Sequence, residues 1–110
     1  MSKSLIVLVL MLAALLEAGG DALVRMGLHS TAAAPKYLFF AAGAVVLFLY
    51  GFAVNSPPWD FGRLLGLYVV FFFLFAQLIS WVVFHQKPSA AVLIGGAFIA
   101  VGGLIISLAS

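Results

Sequence analysis

The chain alternates long apolar runs with short polar breaks. Three stretches carry no formal charge, Tyr37–Trp59, Leu64–Gln86 and Pro88–Ser110, each of 23 residues. A fourth apolar run begins at Ser4, meets its first charge at Glu17 and continues to about Leu28. A bilayer core of about 30 Å needs roughly 20 apolar residues per helix, so each run is long enough to span. The breaks are built from turn formers: His29–Pro35 is a small-residue segment ending in proline, Asn55–Gly62 holds two prolines with Asn, Asp and Gly, and His85–Ser89 is a tight polar hairpin. No run has the period-2 alternation of a membrane-barrel strand, whereas a helix satisfies its own backbone in lipid. The pattern therefore predicts an all-α integral membrane protein. Its four transmembrane helices cover about 4–28, 37–54, 64–84 and 90–109, in one domain over residues 1–110. Connections this short predict that sequential helices are antiparallel neighbours.

Composition excludes the soluble classes. Apolar residues are 66% and charged residues 7% of the 110, against about 45–50% and about 25% in soluble domains. A small soluble domain has a large surface to cover with polar groups, and this chain lacks them. Five Lys/Arg and a net charge of +2 make no basic patch for nucleic acid. With no cysteine there is no disulfide framework or thiol chemistry. His29 and His85 stand alone in the breaks, so no metal site, cofactor or enzyme activity is expected. Lys3, the apolar run and Ala18-Gly19-Gly20 have the outline of a signal peptide. Glu17 would then lie in the cleavage zone, and the helical pattern runs on past it.

Charge placement leaves the orientation balanced. With the N-terminus inside, Lys3 and Arg63 face the cytoplasm while Lys36 and Lys87 face out, and Arg25 adds to the outer side. Positive residues normally bias loops to the cytoplasm. A balance this even predicts either a weak signal or insertion in both orientations, and the latter allows an antiparallel homodimer.

The chemistry concentrates in the first helix. Glu17, Asp21 and Arg25 follow an i, i+4, i+8 spacing, which at about 100° per residue keeps them within a stripe roughly 80° wide. Ionisable groups inside a membrane are expensive and normally face a bundle interior or a cavity, so the stripe marks an interior face. Asp21 and Arg25 are spaced to form an ion pair, which leaves Glu17 without a base in its own helix. Counted from Ser4, Glu17 lies about 20 Å along the axis at 1.5 Å per residue, in the middle of the bilayer. A low-dielectric medium favours a neutral carboxyl and an adjacent cation favours an ionised one. Proton and cation then compete for one group. The alternative is a carboxyl that only locks helix packing.

Small and aromatic residues complete the picture. Gly19, Gly20 and Gly27 let another helix or a ligand approach the first helix. In the fourth helix Gly95-Gly96 and Gly102-Gly103 repeat after seven residues and lie on one face, which serves packing within a subunit or a helix–helix dimer contact equally well. The third helix carries Tyr68, whose hydroxyl must find a partner, among Phe71, Phe72, Phe73 and Phe75. An aromatic wall near Glu17 also suits a cation. Trp59 and Trp81 fit membrane-interface anchors.

Glu17, Gly20 and Arg25 follow the first-helix pattern of the small multidrug resistance family, within the drug/metabolite transporter superfamily, and the chain resembles that family over almost its full length. Leu78-Ile79-Ser80-Trp81, Phe84-His85-Gln86, Gly95, Gly102 and Leu104-Ile105-Ile106 look similar as well. Gly62-Arg63 followed by Tyr68 is also similar to the YnfA-like small membrane proteins. The resemblance implies an antiparallel, dual-topology homodimer in the bacterial inner membrane. Two Glu17 side chains would line a shared cavity there and exchange protons for a cationic substrate. It implies that Tyr68 lines that site and that Gly95 and Gly102 form the dimer contact. Leu65 stands where the drug exporters have tyrosine, Val70-Phe71-Phe72 replaces a Gly-x-Gly, and Asp21 is an additional acid.

Two functions follow. One is a proton-coupled antiporter that exports small organic cations, of quaternary ammonium or guanidinium type, with Glu17, Asp21 and Tyr68 as the proton and substrate site and the proton gradient in place of a cofactor. The other is a non-coupled member of the superfamily, a lipid or lipid-linked-sugar translocation subunit or a structural membrane partner.

Overall fold

Four α-helices form where the uncharged runs lie: α1 over Lys3–Leu28, α2 over Ala33–Val54, α3 over Phe61–Val82 and α4 over Ala90–Ala109. The structure is a computed structural model that describes residues 1–109, with side chains through 108. Each helix is long and apolar enough to cross a membrane. Ser2 starts α1 by accepting the Leu5 N–H on its hydroxyl at 3.2 Å, which satisfies one of the first-turn donors. α2 begins at Ala33 rather than near 37. Pro35 thus lies in the first turn, where a missing N–H leaves no intrahelical bond unmade. At the other end of α2, Asn55 Nδ2 donates to the Gly51 carbonyl and the Ser56 hydroxyl to the Phe52 carbonyl, both at 2.8 Å. These bonds take up carbonyls that the helix itself leaves unpaired. The α3–α4 hairpin turns at His85, which adopts a left-handed φ of 56°, and closes with the Gln86 N–H donating to the Ser80 carbonyl at 2.9 Å.

The helices stand side by side in the order α2, α1, α3, α4, within a slab 49 × 34 × 19 Å. This corrects one expectation. α2 and α3 are joined by a short connection, yet α1 lies between them. The connection closes over the N-terminal half of α1, where Ile6, Leu10, Val54 and Leu64 are 3%, 0%, 1% and 2% exposed. Those side chains bury together with Leu67 and Tyr68, so α2 and α3 meet through side chains over the start of α1 rather than side by side along their length.

Glycine sets the spacing on both flanks. A methyl group at Gly20 would meet the Leu47 side chain at 2.7 Å, one at Gly27 would meet the Phe40 ring at 2.7 Å, and one at Gly43 would meet Val24 at 2.8 Å. α1 and α2 therefore approach closely along most of their length. On the other flank, Gly66 lies against Ile106, Gly96 against Phe73 and Gly103 against Val70. The outward faces of α2 and α4 are apolar, with Phe48, Phe52, Phe98 and Leu108 exposed, as a lipid environment permits.

Candidate functional site

Glu17 is the fourteenth residue beyond Lys3 in a 26-residue helix. At 1.5 Å per residue it lies about 21 Å along an axis of about 39 Å, close to mid-membrane. Its side chain is half-buried. Ala13 and Ala14, both fully buried, keep the α1 surface flat one turn earlier, and α3 comes close enough there for Tyr68 to reach across. The Tyr68 hydroxyl lies 2.9 Å from Glu17 Oε1 and 3.3 Å from the Ala13 carbonyl. A phenol has one proton to donate, and the shorter, charge-assisted bond to the carboxylate is the stronger of the two. Tyr68 itself is 3% exposed.

Two more aromatic rings surround this pair. Tyr50 of α2 lies with its ring centroid 5.6 Å from that of Tyr68, which brings a second phenol into the surroundings of the pair. Phe72, one turn along α3, stacks on Tyr68 at 6.3 Å. Three helices thus converge on one carboxyl through two phenols and a phenyl ring. Tyr50 was not among the residues singled out from the sequence. The signal that could have found it is a hydroxyl inside an uncharged apolar run, which needs a polar partner there.

A cavity of about 240 Å³ opens between α1 and α3 on the side of Glu17 toward His29 and Gln86. Asp21, Arg25, Phe72, Ser80, Phe84 and Gln86 are among its lining residues. Phe72 belongs both to this wall and to the stack on Tyr68, so its ring stands between the cavity and the Glu17–Tyr68 pair.

Several expectations change here. Of the three ionisable residues on the α1 stripe, only Glu17 turns into the packed interior, while Asp21 and Arg25 are exposed. The expected Asp21–Arg25 ion pair is not formed. Arg25 instead lays its guanidinium over the Phe84 ring, 5.4 Å from the centroid. The arginine stem is long enough to cross the cavity, and an aromatic face attracts a cation. Gly20 packs within the subunit, against α2. In α4 the paired glycines divide their roles: Gly96 and Gly103 meet α3, whereas nothing lies within 4 Å of a methyl placed on Gly95 or Gly102. His29 and His85 are exposed, away from Glu17.

The chain matches the model of the family described as uncharacterised BCR, YnfA/UPF0060 family, over residues 2–110. It is 32% identical to a UPF0060 membrane protein of Clostridium beijerinckii over 105 residues, 94% of this chain and 92% of that one. It is also 32% identical to a UPF0060 membrane protein of Herpetosiphon aurantiacus over 103 residues, 91% of this chain and 90% of that one. No solved structure matches. The likeness carried by Gly62-Arg63 and Tyr68 is therefore the family relationship shown. The likeness to the small multidrug resistance family rests on the quoted motifs alone.

Proposed function

We propose, starting from the fact that the chain belongs to the YnfA/UPF0060 family of multi-pass membrane proteins, that it exchanges protons for small organic cations at Glu17. One observation carries the reading: a carboxyl at mid-membrane depth, with no basic side chain beside it, is held at 2.9 Å by the hydroxyl of a buried tyrosine. A structural carboxyl needs no such depth and no cavity opening one turn away at Asp21.

The chemistry follows from the two acceptors of Tyr68. When Glu17 is ionised, the Tyr68 proton stabilises the carboxylate and the rings of Tyr50, Tyr68 and Phe72 offer their faces to a cation. When Glu17 is protonated, Tyr68 can turn its proton to the Ala13 carbonyl at 3.3 Å and accept the carboxyl proton on its own oxygen. Either state keeps every polar group paired, so the site can alternate between proton and cation without stranding one in lipid. The proton gradient then drives export, and no cofactor takes part. The exposed Asp21 carboxylate in the cavity is a first stop for a cation on its way to Glu17.

The partner is a second copy in the opposite orientation, in the bacterial inner membrane. Balanced Lys/Arg placement and the open Gly95–Gly102 edge of α4 support it, as does the resemblance to the small multidrug resistance family.

The test is proton release from purified protein on adding candidate cations, tetramethylammonium and guanidinium among them. Wild type should release protons and Glu17→Gln should release none while remaining folded. Release that survives in Glu17→Gln would reject exchange at this residue, and the lipid-handling or structural reading would take its place.

A further inference from the structure

At the opposite end of the molecule, three helices and a connection enclose a groove of about 520 Å³ that the exchange site does not use. Its wall holds Lys3, Ser4, Val7 and Leu8 of α1, Trp59 of the α2–α3 connection, and Leu67 and Ser107 of α3 and α4. It stays open because α4 packs on α3 and leaves the Lys3, Ser4 and Leu8 face of α1 exposed.

The groove is ordered by depth. Lys3 and Ser4 lie in the first turn of α1, and Val7 and Leu8 lie four residues further in, about 6 Å deeper. Ser107 in the last turns of α4 and the partly buried Trp59 sit at the level of Lys3, while Leu67 is buried below them. A polar rim at interface height over an apolar floor repeats the arrangement of a phospholipid. The rim is also positive. Arg63 lies over the Trp59 ring at 4.2 Å, and its Nε is buried without a hydrogen-bond partner among the described residues. Lys3, Arg63 and the amino terminus face one described acid at this end, Asp60.

We propose that this groove binds an anionic phospholipid. The phosphate sits between the Lys3 ammonium and the hydroxyls of Ser4 and Ser107. Arg63, held by Trp59, supplies the second positive charge, and an acyl chain lies along Val7, Leu8 and Leu67. Basic pockets between transmembrane helices recognise anionic headgroups in this way. The inference is independent of proton exchange at Glu17, which lies about 20 Å away along α1.

Trp59 is itself the reporter. The chain has two tryptophans, and Trp81→Phe leaves Trp59 as the sole fluorophore. Full-length Trp81→Phe protein is placed in mixed vesicles where either the phosphatidylglycerol or the phosphatidylcholine is brominated. Brominated phosphatidylglycerol should quench Trp59 with an apparent affinity on the order of tenfold higher than brominated phosphatidylcholine, as two cations near an anionic headgroup imply. Lys3→Gln, at an exposed position, and Lys3→Gln/Arg63→Gln should reduce that preference stepwise to none. Equal quenching by the two lipids overturns the proposal, as does a preference unchanged in Lys3→Gln. Quenching by neither lipid also overturns it, since it would mean that a second copy covers the groove.

Discussion

The Tyr68 hydroxyl donates to Glu17 across 51 positions of sequence, at 2.9 Å, and this bond joins α3 to the one carboxyl that α1 turns inward. A hydrogen bond to a charged group is worth about 1.5–3 kcal/mol. Tyr68→Phe keeps the ring and its stack on Phe72 but removes the donor. Cation affinity at fixed pH should fall about tenfold or more, since 1.4 kcal/mol is a factor of ten. Titration of proton release against cation concentration measures it. An unchanged midpoint would mean that the bond serves packing only.

Asp21 is accessible and Ala13 is not, and the chain has no cysteine of its own. Ser80→Cys, a partly exposed position in the cavity wall, should react with a water-soluble maleimide many times faster than Ala13→Cys, which lies in the sealed half with 0% exposure. Adding a transported cation should slow the first reaction. Equal rates at the two positions would show that the sealed half opens as readily as the cavity.

Because Arg25 rests on Phe84 rather than on Asp21, the two residues separate in their effects. Asp21→Asn removes the cavity's acid and should weaken cation uptake while leaving Glu17 proton release measurable. Arg25→Gln removes a like charge from the route of a cation and should leave uptake unchanged or raise it. If Arg25→Gln harms uptake as much as Asp21→Asn does, the two act as a pair during transport.

The paired glycines of α4 separate packing from assembly. Gly96→Leu and Gly103→Leu push into Phe73 and Val70, and overpacking of this kind costs about 1–3 kcal/mol, so both should lower the thermal midpoint of the purified protein. Gly95→Leu and Gly102→Leu meet open space. They should leave the midpoint alone and reduce the cross-linked dimer. A dimer yield unaffected by either would move the assembly surface off this edge.

Orientation is tested at the Asn55–Gly62 connection. A single cysteine at Asn55 or Ser56, both exposed, should be labelled from each side of sealed vesicles if the chain inserts both ways. Labelling from one side alone rejects dual topology.

Much of the architecture was readable from the chain itself. Runs of 23 uncharged residues between clusters of Pro, Gly, Asn and Asp leave a helix in lipid as the one way to pair every backbone group. The boundaries moved by only a few residues, because Pro35 is tolerated in a first turn. Glu17 and Tyr68 were readable as well, since a carboxyl and a phenol inside apolar runs must each find a partner. That they find each other depends on α1 lying between α2 and α3, an order set by which apolar faces bury together and invisible to any local pattern. The same holds for Tyr50, whose ring comes to lie against Tyr68, the partner of Glu17. It holds too for Arg25, whose i, i+4 spacing from Asp21 permits an ion pair, but which instead lies over the Phe84 ring of the turn that follows α3. Gly95 and Gly96 are adjacent and chemically identical, and only the crossing of α4 over α3 decides which one is covered. Sequence alone determined the elements and the chemical groups that need partners. Tertiary packing decided which partners they have, because those contacts come from helices that the chain order does not place side by side.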